Sequence, residues 1–213
     1  YKETGCGNLC MAGGVALNSV FNGKVLPNTD FNEIYIQPAA SDAGTALGVC
    51  YYIYHQILGF PRTYNMSHAY TGPQFSNGDV ESALNRHSLE YSTLDLPVLV
   101  KDTAKLIEKG NVIGWFQGRM EWGPRALGNR SIIADPRHSS TQDLLNSRIK
   151  NRESFRPFAP AVLEEHVGDY FDQSYPDPFM LKVYGVLPDK RDIIPAVTHV
   201  DGSGRLQTVT SDL

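Results

Sequence analysis

Short blocks of apolar residues, separated by glycines, run along the first part of the chain. Residues 8–18 combine an apolar run, the adjacent pair Gly13 and Gly14, and a second apolar run. This order predicts a buried strand, a tight turn and a helix that runs to about Phe21. Two adjacent glycines let a ligand approach the backbone, and a helix start offers free N–H groups. A turn that binds nothing remains the alternative.

Two more elements complete this first region. Glu33–Ile36 has the composition of a short strand, and residues 38–58 predict a helix with Ser41 or Asp42 as its cap. Small residues in the first turns would let this helix pack closely on a neighbour. From the local sequence, capping could be the whole role of Asp42.

The pattern changes after this helix, because residues 59–78 hold two prolines and three glycines without sustained periodicity. We interpret this segment as a linker or domain boundary. Ser76 and Asp79 match a capping box that opens a short helix to about Arg86. The other predicted elements are a strand near Tyr91, helices at 98–108 and 141–148, and strands at 111–116, 131–134, 158–163, 179–186 and 205–209. The mixture predicts an α/β or α+β fold with a sheet of mixed direction.

Composition narrows the class of protein. With 213 residues, 41% of them hydrophobic, the chain can bury a core as one large domain or two small ones. No apolar run approaches the roughly 18 to 20 residues of a membrane span, and residues 1–5 do not resemble a signal peptide. Three cysteines favour a reducing cytoplasm and indicate no zinc site. The first residue is not Met, so we expect a piece of a longer protein.

Charge is concentrated in one stretch. Seven of the eleven arginines lie between Arg119 and Arg156, and with Lys150 the stretch holds eight basic residues. Its acidic residues are Glu121, Asp135, Asp143 and Glu153. The stretch therefore carries +4 in a chain whose net charge is -4, which predicts a bound anion.

Arginine suits a polyphosphate or acyl phosphate, because its planar fork binds phosphate oxygens in pairs. Around Arg125, two glycines and a proline would bring backbone N–H groups to the same anion. One alternative is that the arginines pair with nearby acids or lie on a solvated face. Another is RNA binding with aromatic stacking platforms at Trp115, Phe116, Trp122 and Phe155. RNA binding predicts a basic chain, whereas this chain is acidic.

Near the end, residues 198–208 place His199 and Arg205 around a turn at Asp201 and Gly202. A hairpin turn explains the Asp-Gly pair without any function. For His199, a satisfied turn histidine is the simpler interpretation, and Arg205 gains importance if it folds onto the earlier arginine stretch.

Five strings resemble the O-carbamoyltransferases of nodulation-factor and antibiotic biosynthesis, the NodU/CmcH family. They are GGVALN (13–18), PAASDAGTALG (38–48), GRMEWGPRALGNRSIIADPR (118–137), KNRESFRPFAPAVL (150–163) and THVDGSGRLQTV (198–209). These motifs are long and unusual in combination, and the resemblance covers nearly the whole chain.

The resemblance implies a domain order. Residues 1–60 would be the end of a sugar-kinase/actin-like (ASKHA) domain, 61–78 a linker, and 79–213 a YrdC-like domain truncated at its C-terminus. The YrdC-like part would make a carbamoyladenylate from ATP and carbamoyl phosphate, and the ASKHA-like part would transfer the carbamoyl group to an acceptor hydroxyl. The isolated chain would be only partly competent.

The same resemblance implies site residues. Arg125, Lys150 and Arg205 match positions that contact phosphate or the carbamoyl group, with Arg156 as a fourth candidate and His199 as a further substrate-binding candidate. Met180 would line the adenine pocket. The ASKHA-like nucleotide contacts would be Gly13, Gly14 and Asn18. Asp42 matches a metal-binding aspartate that would hold iron with upstream histidines which this chain does not contain, so we expect weak metal binding or none.

The implied partners are ATP, carbamoyl phosphate and a hydroxyl-bearing small molecule in the cytoplasm, with neither nucleic acid nor membrane. The acceptor and the oligomeric state stay open. A hydrogenase-maturation carbamoyltransferase is a related alternative, but it would normally bring zinc-finger cysteines and an acylphosphatase segment. An anion- or RNA-binding module that has kept the fold is the non-enzymatic alternative.

Overall fold

A computed structural model describes residues 2–173 and 175–211 of the protein. The chain divides into two compact units. Unit 1 comprises the residues up to Ala69, the short segment Trp122–Arg125 and the residues from Pro136 onwards, and unit 2 comprises Tyr70–Glu121 and Ala126–Asp135. The boundary at Ala69 lies inside the segment predicted as a linker, while the assignment of ASKHA-like and YrdC-like domains stays a prediction.

Helices and short strands alternate along the described residues, so the predicted mixed α/β fold is confirmed. The helices are α1 (Ser19–Asn28), α2 (Ala43–Tyr51), α3 (Asn77–Arg86), α4 (Leu96–Glu108) and α5 (Ser140–Leu144). The strands are β1 (Asn8–Met11), β2 (Glu33–Ile36), β3 (Ile113–Phe116), β4 (Arg130–Ile133), β5 (Ala161–Leu163), β6 (Tyr184–Gly185), β7 (Ser203–Gly204) and β8 (Gln207–Val209). The 3-10 helices are Gly14–Leu17, Glu164–Asp169, Pro188–Lys190 and Pro195–Val197. None of the helices in the described ranges is long and apolar enough to cross a membrane.

The strands form two-stranded sheets of both directions. In unit 1, β1 pairs with β2 and β5 pairs with β8, both in parallel, whereas β6 and β7 are antiparallel. In unit 2, β3 and β4 are antiparallel. The prediction of strand Glu33–Ile36 is confirmed residue for residue, and it lies beside β1 with Asn8 opposite Glu33.

The core of unit 1 joins its early and late segments. One apolar cluster combines Ala16, Ile36 and Ala40 with Leu181 from the later part of the chain. Asn22 of α1 is 1% exposed and donates its amide to the carbonyls of Ala16 (2.8 Å) and Leu181 (2.9 Å). The glycine turn is therefore held near the late segment. A second cluster packs around Phe171 and Leu206, and it consists of Val167, Phe171, Tyr184, Val186, Ile194, Val197 and Leu206.

The first helix begins differently from the prediction. Residues after Gly13 form a 3-10 turn, Gly14–Leu17, and α1 starts only at Ser19. The reason is Asn18, whose side-chain oxygen accepts the N–H of Phe21 at 3.1 Å and so caps a new helix. The predicted end near Phe21 is also wrong, because α1 continues to Asn28.

The second helix lacks the predicted side-chain cap. The helix α2 begins at Ala43 and continues as a π-helical turn, Tyr52–Ile57, close to the predicted end. Asp42 precedes it in helical geometry, with φ -52° and ψ -31°, and its side chain makes no capping hydrogen bond. An N-cap carboxylate normally needs an extended residue to reach back to the helix N–H groups.

Unit 2 confirms one local motif and corrects one strand. Ser76 and Asp79 form the predicted capping box, in which the Ser76 hydroxyl accepts the Asp79 N–H at 3.2 Å and the Asp79 carboxylate accepts the Ser76 N–H at 2.8 Å. The predicted strand near Tyr91 is wrong: the residues around it pair with no described strand, and the Tyr91 hydroxyl donates to Glu81 at 2.7 Å.

Three late elements are shorter than predicted. The strand expected at 179–186 is reduced to β6, because Met180 has φ 56° and turns the chain out of the extended conformation. The helix expected at 141–148 is α5 followed by a π-helical turn, Leu145–Lys150, which ends at Asn151 with φ 46°. The strands predicted at 158–163 and 205–209 keep only β5 and β8.

Candidate functional site

Some arginines of the basic stretch have structural partners. In unit 2, Arg130 donates to the buried carboxylate of Glu121 at 3.2 Å, and Arg119 donates to the carbonyl of Gly72 at 2.9 Å. In unit 1, Arg156 pairs with Glu153 at 3.1 Å on the surface. The alternative that arginines pair with local acids is therefore correct for Arg130 and Arg156.

Arg125, Arg152 and Arg205, all in unit 1, form what we call the arginine cluster. Burial, followed by the positive charges of Arg125 and Arg152, lowers the pKa of Arg205 to about 10. Burial also lowers the pKa of Arg125, and burial followed by the charge of Arg156 lowers that of Arg152. Within the described part of the chain, no carboxylate forms a salt bridge with any of the three.

Hydrogen-bonding capacity is left unused in this cluster. The Nε atoms of Arg125 and Arg205 are buried, and neither has a hydrogen-bond partner among the described residues. Buried polar groups are almost always hydrogen-bonded in proteins, and an unmade bond costs about 1–3 kcal/mol. Two orphaned donors on clustered cations therefore mark a place where an anionic ligand would supply the missing acceptors.

Each member of the cluster is held by a different segment. Arg125 donates to the carbonyl of Leu17 at 3.2 Å, which places it at the end of the 3-10 turn that begins at the second glycine, Gly14. Arg152 donates to Asn146 Oδ1 at 2.7 Å, and its guanidinium carbon lies 4.8 Å from the ring centre of Phe158. Arg205 follows β7 directly.

The support of Arg152 is itself rigid. Asn146 is 1% exposed, and its amide donates to the carbonyls of Ser154 (3.0 Å) and Arg156 (2.9 Å). These bonds close the loop that carries Arg152. Because the loop is fixed from inside, Arg152 need not use a surface acid to hold its position.

His199 lies in the turn before Arg205. Its Nδ1 lies 3.1 Å from the hydroxyl of Ser203, and its Nε2 is buried without a partner among the described residues. Burial lowers the pKa of His199; the charge of Asp201 opposes this, and that of Arg205 adds to it. His199 is therefore neutral near pH 7 and electrostatically coupled to the arginine cluster.

The backbone of the glycine turn, at Gly13 and Gly14, faces open space. Gly13 has φ 99° and donates its N–H to the carbonyl of Ala40 at 2.6 Å. A left-handed backbone of this kind strongly favours glycine. A Cβ added to Gly13 or Gly14 would meet no atom within 4 Å, so a ligand has room there. Asn18 is exposed and its oxygen serves as the cap of α1.

The other predicted residues lie as follows. Met180 is half-buried in its left-handed conformation, next to buried Leu181. Lys150 is exposed at the end of its π-helical turn, and the structure gives it no contact with the arginine cluster. Arg156 is exposed and paired with Glu153, but its charge acts on Arg152. The roles of Met180, Lys150 and Arg156 stay predictions.

Asp42 does not make up an iron site with the other residues present. It is exposed, and the described residues contain no group of three or more His, Cys, Asp or Glu side chains that could hold a metal ion. A typical non-haem iron site needs two histidines and a carboxylate, and one carboxylate alone does not meet this requirement.

Sequence reasoning missed Arg152, Asn146 and Ser203. Arg152 stood inside a quoted motif, but nothing in the order of residues separates it from Arg156, four positions later. Only the tertiary structure distinguishes the two arginines, because Arg152 is hydrogen-bonded to Asn146 whereas Arg156 is hydrogen-bonded to Glu153. For Ser203, its spacing of four from His199 across a glycine turn was a usable signal.

Comparison with known proteins shows which protein family the chain matches. A family model described as Carbamoyltransferase N-terminus matches residues 1–51, and one described as Carbamoyltransferase C-terminus matches residues 104–213. The glycine turn lies in the first match, and the arginine cluster lies in the second.

Three curated relatives show the extent of the similarity. An uncharacterized protein of Synechocystis sp. is 46% identical over 98% of this chain and 38% of its own length. Nodulation protein NolO of Bradyrhizobium diazoefficiens is 44% identical over 98% of this chain and 39% of its own length. Nodulation protein U of Rhizobium tropici is 36% identical over 95% of this chain and 33% of its own length. The chain thus spans well under half the length of these relatives.

Proposed function

This chain belongs to the carbamoyltransferase family, and from that premise we propose that the protein carrying it transfers a carbamoyl group to an acceptor hydroxyl through a carbamoyladenylate. The family predicted from the sequence motifs is confirmed by the two matches. The route through ATP and carbamoyl phosphate is the finer part of the proposal, and the arginine cluster supports it.

The atoms balance in three steps. Water takes the phosphoryl group of carbamoyl phosphate, which releases phosphate and leaves carbamate. A carbamate oxygen then attacks the α-phosphorus of ATP and displaces pyrophosphate, which gives carbamoyladenylate. Finally the acceptor oxygen attacks the carbamoyl carbon, AMP leaves, and the hydroxyl proton passes to AMP or solvent.

The single observation that carries the proposal is the pair of orphaned, buried guanidinium donors in the cluster. Negative charge is present on carbamoyl phosphate, carbamate and ATP in the first two steps and develops on the displaced oxygens. Preorganised cationic donors stabilise such charge strongly because little reorganisation is needed. Arg125, Arg152 and Arg205 would therefore bind the phosphate and carbamate oxygens. Arg156, whose charge acts on Arg152, and the exposed Lys150 are the further candidates that the sequence motifs suggest.

The glycine turn would complete the site. Gly13 and Gly14 leave open space at their backbone, and Arg125 donates to the end of the turn that follows them. We propose that nucleotide phosphate or ribose lies there, with Asn18 as a further contact and Met180 against the adenine. The acceptor is a hydroxyl-bearing small molecule whose identity stays open.

The test is ATP–pyrophosphate exchange by the full-length protein that carries this chain, with and without carbamoyl phosphate. We expect exchange only with carbamoyl phosphate, and a fall of about 100-fold or more in Arg125→Ala, by analogy with loss of one preorganised donor. The matched control is Arg86→Ala, an exposed arginine at the end of α3 in unit 2. Absence of exchange from a folded, ATP-binding wild type would contradict the adenylate route.

A second experiment distinguishes an enzyme from an RNA-binding module. Carbamoyl phosphate or ATP should protect Arg125 from arginine-specific modification, whereas mixed RNA should not. Protection by RNA alone would favour the binding module.

A further inference from the structure

The turn from His199 to Ser203 contains a chain of three polar side chains. The Ser203 hydroxyl lies 2.6 Å from Asp201 Oδ1 and 3.1 Å from His199 Nδ1. The backbone closes the same turn, because the His199 N–H donates to the Ser203 carbonyl at 2.7 Å and the Ser203 N–H donates to Asp201 Oδ1 at 3.0 Å. Asp201, Ser203 and His199 are therefore fixed relative to one another.

This chain determines which nitrogen of His199 carries the proton. The hydrogen bonds from Ser203 lower the pKa of Asp201, so its carboxylate is charged at neutral pH and accepts the only hydroxyl proton of Ser203. The Ser203 oxygen is left as an acceptor towards Nδ1. In neutral imidazole one nitrogen donates and the other accepts, so Nδ1 carries the proton and Nε2 presents a lone pair.

Among residues 2–173 and 175–211, nothing pairs with that lone pair. His199 Nε2 is buried there without a hydrogen bond, as is the Nε–H of Arg205, which comes two residues after Ser203. The charge of Arg205 lowers the pKa of His199, and the two residues are six positions apart on either side of β7. One orphaned acceptor and one orphaned cationic donor thus belong to the same short segment of chain. The complementary ligand is an anion that also carries an N–H or O–H donor.

We propose that His199 selects the carbamoyl donor by accepting a hydrogen bond from its NH₂ group, while Ser203 and Asp201 position the imidazole. This inference rests on the proposed function, because it names how that site would recognise its substrate. Acetyl phosphate has almost the same shape and charge as carbamoyl phosphate but has CH₃ in place of NH₂. It would leave Nε2 buried and unpaired.

The expected discrimination follows from that difference. A site built to bond a polar group rejects an analogue that lacks it, because the partner group stays desolvated without compensation. For one neutral hydrogen bond we expect carbamoyl phosphate to bind about 5- to 100-fold more tightly than acetyl phosphate.

The experiment measures dissociation constants of carbamoyl phosphate, acetyl phosphate and inorganic phosphate for the full-length protein. His199→Phe keeps a ring but has no acceptor, and we expect its preference for carbamoyl phosphate to fall to within about 2-fold of unity. His199→Gln keeps an acceptor and should retain part of the preference. His166→Phe is the matched control, since His166 is exposed in unit 1 and pairs with Asp169. Its preference should equal that of wild type.

A second measurement needs no substitution of His199. Nitrogen-15 spectra of the wild-type imidazole should show His199 protonated at Nδ1 alone, with its Nε2 signal shifting on addition of carbamoyl phosphate and not of acetyl phosphate. Ser203→Ala should mix the two tautomers and weaken the preference, a readout that a purely structural role would not move.

The outcomes separate this inference from the proposed function. Equal affinities for the two acyl phosphates in wild type, or a proton on Nε2, would overturn the role of His199 even if pyrophosphate exchange occurs. A His199 variant that loses ATP affinity alone would overturn it as well, in favour of a nucleotide hydroxyl as the donor. Missing exchange with an intact preference would leave His199 as a selector in a different reaction.

Discussion

Arginine has opposite surroundings at the Glu121 carboxylate in unit 2 and in the arginine cluster in unit 1. Glu121 is 4% exposed and accepts hydrogen bonds from the N–H groups of Leu127 (2.5 Å) and Asn129 (2.9 Å) and from Arg130 (3.2 Å). In the cluster, the charges of Arg125 and Arg152 act on Arg205, and the buried Nε atoms of Arg125 and Arg205 have no hydrogen-bond partner in the described part of the chain. Arg130, whose donor is satisfied by Glu121, serves the fold, whereas the unpartnered Nε donors of Arg125 and Arg205 are the groups to which we assign the proposed ligand.

The two regions should therefore respond differently to substitution. Loss of Glu121 would leave two backbone N–H groups without their acceptor, a change that weakens the fold. Loss of a cluster arginine removes a desolvated charge among like charges, a change that weakens ligand binding while it relieves the fold.

The largest expected effect is on activity in Arg205→Met. Loss of one preorganised cationic donor should lower the ATP–pyrophosphate exchange rate by about 10²- to 10³-fold. The folded-state pKa of Arg205, about 10, lies below its usual 12.5, so the charged form is disfavoured by folding and its cost is fully present at pH 7. We expect the free energy of unfolding in urea to stay equal or rise. A less stable variant with normal exchange would break the comparison.

The largest expected effect on stability is in Glu121→Ala. Two backbone donors and one guanidinium would lose their acceptor, which should lower the free energy of unfolding by about 3 kcal/mol. Glu121→Gln keeps one oxygen for the backbone N–H groups and should cost about 1–2 kcal/mol. Urea denaturation measures both, and a change below 0.5 kcal/mol in Glu121→Ala, on the order of a surface substitution, would contradict a structural role.

The pH dependence sharpens the same contrast. Burial alone would raise the pKa of Glu121, but hydrogen bonds from Leu127, Asn129 and Arg130 hold it below its usual 4.5. Its contribution to stability is therefore present above pH 4.5 and lost as pH falls through the folded-state pKa. The difference in unfolding free energy between wild type and Glu121→Gln should shrink between pH 5 and the acid limit. A constant difference across this range would mean that the carboxylate charge is not involved.

In unit 1, the contribution of Asp177 to stability should change with pH in the opposite direction. Burial is the main cause that raises the pKa of this carboxyl, which accepts the Tyr184 hydroxyl at 3.0 Å. A raised folded-state pKa favours folding below pH 3.8 and loses that contribution as pH rises through the folded value. Relative to wild type, Asp177→Asn should therefore become more stable as pH increases. A relative loss of stability with rising pH would contradict the assignment.

The smallest expected effect is in Arg156→Ala. Its pair with Glu153 is more than half exposed, so the free energy of unfolding should change by less than about 0.5 kcal/mol. The exchange rate is the sharper readout. A loss as large as that of Arg205→Met would show that an ion-paired surface arginine also serves the ligand, and the distinction between paired and idle arginines would no longer hold.

Local chemistry explains which predictions succeeded. The capping box at Ser76 and Asp79 depends on neighbouring residues, and it forms as predicted. The strand Glu33–Ile36 also forms as predicted, because β1 is available as its parallel partner. The strand predicted near Tyr91 needed a distant partner strand, and the strand predicted at 179–186 needed a continuous extended backbone. The first has no described partner, and the second is interrupted at Met180. Periodicity does not reveal either fact.

By itself, the sequence determined the mixed fold class, the family motifs, the excess of arginine and the presence of a turn at Gly13 and Gly14, because composition and short-range geometry govern these. Only the tertiary structure decided which arginines are paired with acids and which keep unpartnered buried donors among the described residues. Arg152 and Arg156 are four residues apart in one motif, yet one is held by buried Asn146 and the other by exposed Glu153. Burial and hydrogen-bond satisfaction depend on contacts between distant parts of the chain, and these contacts distinguish the proposed binding site from a solvated face.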